Sequence, residues 1–148
     1  MSPQQYLGKY KLLTCLGKGG MAEVWKALDP VLMRFVAIKI LDPDLQENPE
    51  FLARFQQEGR MVASLKHPNI VKIHGFEVAT DPESNSPIAY VVLEYIEGPT
   101  LADYLNSPSH KGKFLSRADI MHLFNSVGLA IDYAHQQGML HRDIKPAN

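Results

Sequence analysis

The sequence has very little cysteine and almost no net charge. It contains one cysteine, Cys15, which excludes an internal disulfide and is typical of a reducing compartment. The 15 basic and 16 acidic residues give a net charge of −1, which indicates neither a nucleic-acid nor a membrane-surface partner. A signal peptide and a run of ~20 apolar residues are also missing. We therefore expect a cytoplasmic chain without a membrane segment. Whether a parent protein is membrane-anchored through a C-terminal region stays open.

What is present indicates a globular fold of the α+β class. Hydrophobic residues make up 45% of the sequence and charged residues 21%, which excludes wholesale disorder. Short apolar runs bounded by turn residues predict three strands between Tyr10 and Leu41. Two more strands are predicted in residues 72–79 and 88–96, joined by the polar loop TDPESNSP. The sequence therefore predicts five strands in its first two thirds.

One helix is predicted within this set of strands, and two more after it. Asn48 and Pro49 have the residue types that begin a helix, and its apolar pattern continues to Leu65. Thr100 begins a short helix, and Ser116 caps the longest one, which ends at a glycine. One apolar stripe on the longest helix has the spacing of a buried face: Ile120, Leu123, Phe124, Val127, Ile131 and Ala134.

A glycine cluster lies between the first two predicted strands, in the stretch LGKGGMAEV. Glycine lacks a Cβ, so backbone N–H groups can approach phosphate oxygens closely. Alone, the segment fits a flexible hairpin at least as well, and Ala22 leaves the G-x-G-x-x-G pattern incomplete. A Walker-type phosphate loop is excluded because no G-K-[ST] follows, and the strand after the cluster disfavours a dinucleotide-binding fold.

A single lysine, Lys39, interrupts the apolar run FVAIKIL of the third strand. Strand alternation places Lys39 on the same face as Ala37 and opposite Val36 and Ile38. A lysine that protects a sheet edge is the alternative, but a charge among apolar residues requires an anion. Glu58 is the only charge on the apolar stripe of the first helix. We predict that it forms an ion pair with Lys39.

The last eight residues, HRDIKPAN, combine three polar groups suited to chemistry on a phosphate. The Asp143 carboxylate can accept a proton from an attacking hydroxyl, and Lys145 can neutralise charge on a transferring phosphoryl group. The side-chain oxygen of Asn148 is a ligand of the kind that Mg²⁺ prefers. Such residues in a loop usually indicate a turn, but the full string is more specific than a turn requires.

Four motifs in this order resemble a known family. The stretches GKGGMAEVWKA, VAIK and HRDIKPAN, with Glu58 between the last two, are similar to the serine/threonine protein kinases, in particular the eukaryotic-like kinases of bacteria. The resemblance implies a five-stranded antiparallel small lobe with one inserted helix, a hinge, and the first helices and catalytic loop of a helical large lobe. It divides the chain into a tail (1–9), an ATP-binding small lobe (10–96), and the hinge end with the start of the large lobe (97–148).

The resemblance implies a role for each matching position. Asp143 would be the catalytic base, Lys145 a γ-phosphate contact and Asn148 a magnesium ligand, with ATP and Mg²⁺ as cofactors. Lys39 would hold the α- and β-phosphates and would be braced by Glu58. The other nucleotide-binding positions belong to the glycine loop, the roof of the adenine pocket, the gatekeeper and the hinge: Leu16, Gly17, Lys18, Gly19, Gly20, Met21, Ala22, Val24, Ala37, Leu93, Glu94 and Ile96.

The expected partners are ATP and a protein substrate with a serine or threonine acceptor, since Lys145 is typical of kinases for these residues. No D-F-G or A-P-E motif follows Asn148, so we expect the 148 residues alone to be inactive. Two alternatives stay open: a nucleotide-binding or docking fragment without catalysis, and a small-molecule phosphotransferase of the same fold. Arg142 and Lys145 disfavour the second alternative.

Overall fold

In a computed structural model, the chain forms two compact units. The first comprises Met1–Ser64 and Val71–Ile96, and the second Leu65–Ile70 and Glu97–Asn148. The structure describes residues 6–19, 22–46, 48–82, 84–108 and 115–147. The strands are β1 (Tyr6–Leu7), β2 (Tyr10–Lys18), β3 (Ala22–Asp29), β4 (Arg34–Leu41), β5 (Ile73–Thr80) and β6 (Pro87–Glu94). The helices are α1 (Pro43–Gln46), α2 (Pro49–Ser64), α3 (Leu101–Asn106) and α4 (Arg117–Gln136).

The first unit contains one antiparallel sheet with the strand order β1-β2-β3-β4-β6-β5. The predicted α+β class, an antiparallel sheet with an inserted helix followed by helices, is confirmed. The sheet has six strands within the described residues rather than five, because Tyr6 and Leu7 pair with the start of β2. Gly8 makes this pairing possible: its φ is +53°, and a Cβ there would lie 2.7 Å from Oη of Tyr90. Tyr6 and Leu7, predicted as part of a tail, therefore belong to the sheet, and residues 8 and 9 form the turn that follows.

One face of the sheet carries the hydrophobic core. Val36 and Ile38 of β4, which strand alternation predicted to share a face, are both 0% exposed. On the same side, the Oη atoms of Tyr10 and Tyr90 each donate a hydrogen bond of 2.9 Å to the carboxylate of Glu77. Burial and these hydrogen bonds raise the pKa of both phenols. The core cluster comprises Leu7, Tyr10, Leu12, Ala27, Val36, Ile38, Tyr90 and Val92.

A buried carboxylate organises the turn between β3 and β4. Asp29 is 1% exposed, and its Oδ1 accepts hydrogen bonds from the amides of Val31 at 3.0 Å and Leu32 at 3.2 Å. Burial alone would raise the pKa of Asp29. The hydrogen bonds from Leu32 and Val31, with the nearby charges of Lys9 and Arg34, outweigh burial and lower it. Asp29 therefore stabilises the folded chain more when it is ionised than when it is neutral.

We expect Asp29→Ala to lower the free energy of unfolding by about 1–3 kcal/mol at pH 7, because two amides lose their acceptor. The lowered pKa means that the stability contributed by ionised Asp29 is present above about pH 4 and is lost as the pH falls through the folded pKa. Urea titrations at pH 7 and pH 3 measure both effects. Asp29→Asn keeps an acceptor oxygen, so it should retain most of the stability but lose this pH dependence. Equal losses in both variants would contradict this account.

The helices begin where side chains satisfy their first amides. Oδ1 of Asn48 accepts hydrogen bonds from the amides at positions 50 and 51, so the predicted start of α2 is confirmed. Thr100 forms a capping box with Asp103, and Ser116 caps α4. Gly138, with a φ of +76°, follows the end of α4. Among the described residues, no helix has the length and apolar character needed to cross a membrane.

The predicted apolar stripe of α4 is largely exposed in this structure. Phe124 is 71% exposed, and Ile120 and Val127 are also exposed. Leu123 and Ile131 are half-buried. In the described part of α4, Ala130 is the buried residue, and it lies outside the predicted stripe. The helix is present as predicted, but its apolar face is not covered.

Candidate active site

Two glycines of the cluster, Gly17 and Gly19, lie near the tip of the hairpin between β2 and β3. Gly17 lies opposite Val24, and the amide of Gly19 donates a hydrogen bond of 3.0 Å to the carbonyl of Ala22. A Cβ on Gly17 would meet no atom within 4 Å. The register shifts between Cys15 and Gly17, so Leu16 occupies an irregular position and is 49% exposed. Gly20 and Met21, predicted to contact the nucleotide, lie outside the described residues.

A charge pair joins β2 and β3 next to the tip of this hairpin. Nζ of Lys18 forms an ion pair with Glu23, the residue opposite it in the β2–β3 register. The hydrogen bond to Glu23 raises the pKa of Lys18. Hydrogen bonds from Lys18 and from the Trp25 indole lower the pKa of Glu23. In this structure the positive charge of Lys18 is thus balanced within the protein.

Lys39 lies on the face of the sheet opposite the core, as alternation predicted. Its strand neighbours in the pairing are Val24 of β3 and Val91 of β6, and Val91 in turn pairs with Phe76 of β5. Paired residues share a face of the sheet. Helix α2 packs on this same face, since the ring centroids of Phe55 and Phe76 are 5.8 Å apart. The Lys39 side chain is exposed.

The predicted ion pair between Lys39 and Glu58 is not formed in this structure. Both side chains are exposed, and the ion pairs found among the described residues do not join them. The reason lies in the next residue, Gly59, which is the buried residue of α2. Gly59 faces the Phe76 ring directly, and successive helical residues are about 100° apart around the axis. Glu58 therefore lies at the edge of the packed stripe.

The predicted gatekeeper and hinge lie at the end of β6. Leu93 pairs with Ala37 of β4, so it lies on the same face of the sheet as Lys39. The Glu94 amide donates a hydrogen bond of 2.8 Å to the Lys72 carbonyl. This donor is therefore already used within the protein. Ile96, the second predicted hinge contact, is 61% exposed.

A cavity of about 610 Å³ lies beside the hairpin tip. Its walls include Lys18 and Glu23 from the hairpin, Asp81 from the β5–β6 connection, and Ile88. Lys39 is not among its lining residues. Three of the predicted nucleotide contacts, Lys18, Gly19 and Ala22, do line it, so the cavity adjoins the hairpin part of the predicted nucleotide site but not Lys39.

The second unit holds the predicted catalytic loop. Oδ2 of Asp143 lies 2.8 Å from Nζ of Lys145, and both side chains are exposed. The Asp143 amide donates a hydrogen bond of 3.3 Å to Nδ1 of His141, so this histidine supports the loop. Arg142 has a φ of +62°, and the Pro146 carbonyl accepts a 2.9 Å hydrogen bond from Ala102 of α3. The loop thus places the carboxylate of Asp143 beside the ammonium of Lys145.

The magnesium ligand predicted from the sequence, Asn148, lies outside the described residues. Within the part of the chain that is described, no group of three or more histidine, cysteine, aspartate or glutamate side chains could hold a metal ion.

One group near the hinge was missed by sequence reasoning. Nζ of Lys26 lies 4.3 Å from the ring centroid of Phe35 and 4.5 Å from that of Tyr95. Alternation along β3 places Lys26 two residues after Val24, on the Lys39 face, and this was the available signal. The aromatic partners come from two other strands or their ends, which no local pattern links to Lys26.

The sequence and the fold are similar to those of known proteins. The sequence model of the protein kinase domain family matches residues 10–148. Serine/threonine-protein kinase PknB of Mycolicibacterium smegmatis is 40% identical over 147 residues, which cover 99% of this chain and 23% of PknB. Serine/threonine-protein kinase PrkC of Bacillus subtilis is 42% identical over 143 residues, with coverages of 95% and 20%. The chain spans about a fifth of the length of these relatives.

Solved structures give the same result. The crystal structure of the PknI kinase domain from Mycobacterium tuberculosis is 28% identical in sequence, with a TM-score of 0.76. The match covers 100% of this chain and 56% of the PknI chain. The resemblance first identified from the motifs therefore extends to the fold of the whole chain.

Proposed function

The chain belongs to the protein kinase domain family, and we propose that its protein is an ATP-dependent serine/threonine kinase. The observation that carries the proposal is the Asp143–Lys145 pair at 2.8 Å in the loop HRDIKPAN. A carboxylate that accepts the proton of a hydroxyl and a cation that neutralises phosphoryl charge are two groups that phosphoryl transfer requires. The names of PknB and PrkC support serine and threonine as acceptors.

In the proposed reaction, the acceptor hydroxyl oxygen forms a bond to the γ-phosphorus of ATP. The bond between that phosphorus and the β–γ bridging oxygen breaks, and ADP leaves with the bond electrons. The hydroxyl proton passes to Asp143, and Lys145 offsets charge on the transferring group. Asn148 would hold Mg²⁺, which when bound neutralises phosphate charge.

The nucleotide is proposed to bind along the Lys39 face of the sheet. Lys39 carries an exposed ammonium for the α- and β-phosphates, and the small side chain of Ala37 leaves room for the adenine. Glu58 is proposed to pair with Lys39 in the nucleotide-bound state, which requires α2 to turn about its axis because Glu58 now lies beside the packed stripe. The remaining predicted contacts in the hairpin and hinge keep their proposed roles.

We place this domain in the cytoplasm, where ATP and a protein substrate are both available and where a lone cysteine stays reduced. The proposed partners are ATP and a protein with a serine or threonine acceptor. No nucleic-acid partner is proposed, because the net charge is −1.

Lys39→Ala tests the nucleotide site directly. Loss of a charge-assisted contact to the phosphates should weaken ATP binding by about 10- to 150-fold, which corresponds to about 1.5–3 kcal/mol. Calorimetric titration of the full-length protein with ATP and magnesium measures the change. Adenosine, which has no phosphates, should bind the wild type and Lys39→Ala with equal affinity.

Lys11→Ala is the matched control, since Lys11 is also a strand lysine but lies in β2, opposite Leu28. It should bind ATP like the wild type. Unchanged ATP affinity in Lys39→Ala would reject the proposed phosphate contact. Absence of ATP binding in the wild type would reject the proposed function.

A further inference from the structure

A cation lies between two aromatic rings where the sheet meets the predicted hinge. We call Lys26, Phe35 and Tyr95 the Lys26 cluster. Nζ of Lys26 is 4.3 Å from the Phe35 ring centroid and 4.5 Å from that of Tyr95. The two rings are edge-to-face, with centroids 6.4 Å apart and planes at 70°. Both distances are within the ~6 Å at which a ring quadrupole attracts a cation.

Lys26 makes cation–π contacts with both rings. Lys26 and Tyr95 are half-buried, and Phe35 is 52% exposed. Across the described chain, the ion pairs that form do not include Lys26. Because the ammonium is partly removed from water and forms no ion pair with a described residue, the contact with the rings is worth more than it would be at a fully exposed site.

The Lys26 cluster lies just beyond the last backbone pair between β4 and β6. The β4–β6 register ends at Val36 opposite Glu94. The next residues outward are Phe35 and Tyr95, and their side chains meet across the same two strands. Lys26 of β3 lies over both rings, so three strands hold Tyr95 in place. Tyr95 stands between Glu94 and Ile96, the two residues proposed to hydrogen-bond the adenine.

We propose that Lys26 is a positioning residue for adenine binding: with Phe35 and Tyr95 it fixes the backbone of the hinge at residues 94–96. This rests on the proposed function, because it concerns the adenine contacts of the same site. Lys26 acts through Tyr95 and does not touch the phosphates. Its removal should therefore weaken ATP and adenosine by the same factor. A lysine that acted only as a positive charge would affect ATP and leave adenosine unchanged.

The variant Lys26→Gln removes the charge and keeps the length of the side chain. In the full-length protein we expect the Kd of ATP and the Kd of adenosine to rise together by about two- to five-fold, the factor that loss of a cation–π contact gives. The KM for ATP should rise by a similar factor with kcat unchanged. Lys26→Arg should restore both affinities, because a guanidinium also stacks on aromatic rings.

Lys11→Gln, on β2, is the matched control and should bind both ligands like the wild type. Unchanged adenosine affinity in Lys26→Gln would overturn the proposal, and so would a fall in kcat that Lys26→Arg does not restore. Hydrogen exchange at the Tyr95 and Ile96 amides of the ligand-free protein tests the cluster independently of any nucleotide. Faster exchange in Lys26→Gln supports it, and unchanged exchange overturns it. A wild type that binds neither ligand would reject the proposed function instead.

Discussion

Replacing Asp143 with asparagine is expected to lower the rate of phosphoryl transfer by about 10²- to 10⁴-fold, the range that a general base contributes. Asparagine has nearly the same size, so the loop geometry should persist, including the amide contact with His141. It cannot take a proton from the acceptor hydroxyl. The measurement is the initial rate of ATP-dependent phosphorylation of a protein substrate by the full-length protein.

Comparison of the changes in kcat and in the KM for ATP tests the role of Asp143. A base that acts only in the transition state lowers kcat and kcat/KM together, while the KM for ATP changes little. Asp132→Asn on α4 is the matched control, because Asp132 is exposed and its hydrogen bond is to Gln136 on the same helix. It should keep the wild-type rate. A rate for Asp143→Asn within a factor of ten of the wild type would contradict the assignment of the base.

The Asp143–Lys145 pair contributes little to stability, since both side chains are more than half exposed and exposed ion pairs are typically worth about 0–1 kcal/mol. Its proposed role is in phosphoryl transfer, as proton acceptor and positive charge. Asp143→Asn leaves Lys145 without its carboxylate partner but with its charge intact. A large loss of rate without a loss of stability would therefore separate catalysis from folding in this loop.

The parts of the fold that local rules govern were predictable from the sequence. Asn48, Thr100 and Ser116 begin helices because their side-chain oxygens accept from nearby amides, and that chemistry is visible in a few adjacent residues. The position of Val36 and Ile38 on the face opposite Lys39 follows from the two-residue period of a strand. These predictions needed no knowledge of distant partners.

The predictions that failed, or that could not be made, concern contacts between residues far apart in the sequence. Strand β1 has two residues, and its position next to β2 depends on the close approach of Gly8 to Tyr90, 82 positions away in the sequence. The Lys26 cluster brings together residues whose separation in sequence gives no periodic signal. Glu58 lies on α2 as predicted. The direction of its side chain, however, is set by the contact between the next residue, Gly59, and Phe76 of β5.

The close contact between Gly59 and the Phe76 ring gives the second large expected effect. A Cβ added to Gly59 would lie 1.7 Å from Cζ of Phe76 and within 2.6 Å of two more ring atoms. Phe76 has little room to move, because its ring packs edge-on against Phe55 at 5.8 Å. Overpacking of this kind costs typically 1–3 kcal/mol, against a gain of up to about 1 kcal/mol in helix propensity. We therefore expect Gly59→Ala to destabilise the protein by about 2 kcal/mol, the upper cost less this gain.

Thermal unfolding followed by circular dichroism should show a fall in Tm of about 4–8 °C. Gly128→Ala is the matched control: it is also a glycine inside a helix, but its added Cβ would meet no atom within 4 Å. It should raise stability by up to about 1 kcal/mol, because alanine is the better helix former. In the background Phe76→Leu, which removes the ring, Gly59→Ala should lose its cost. If Gly59→Ala instead behaves like Gly128→Ala, the packing of α2 on β5 cannot be what turns Glu58 away from Lys39.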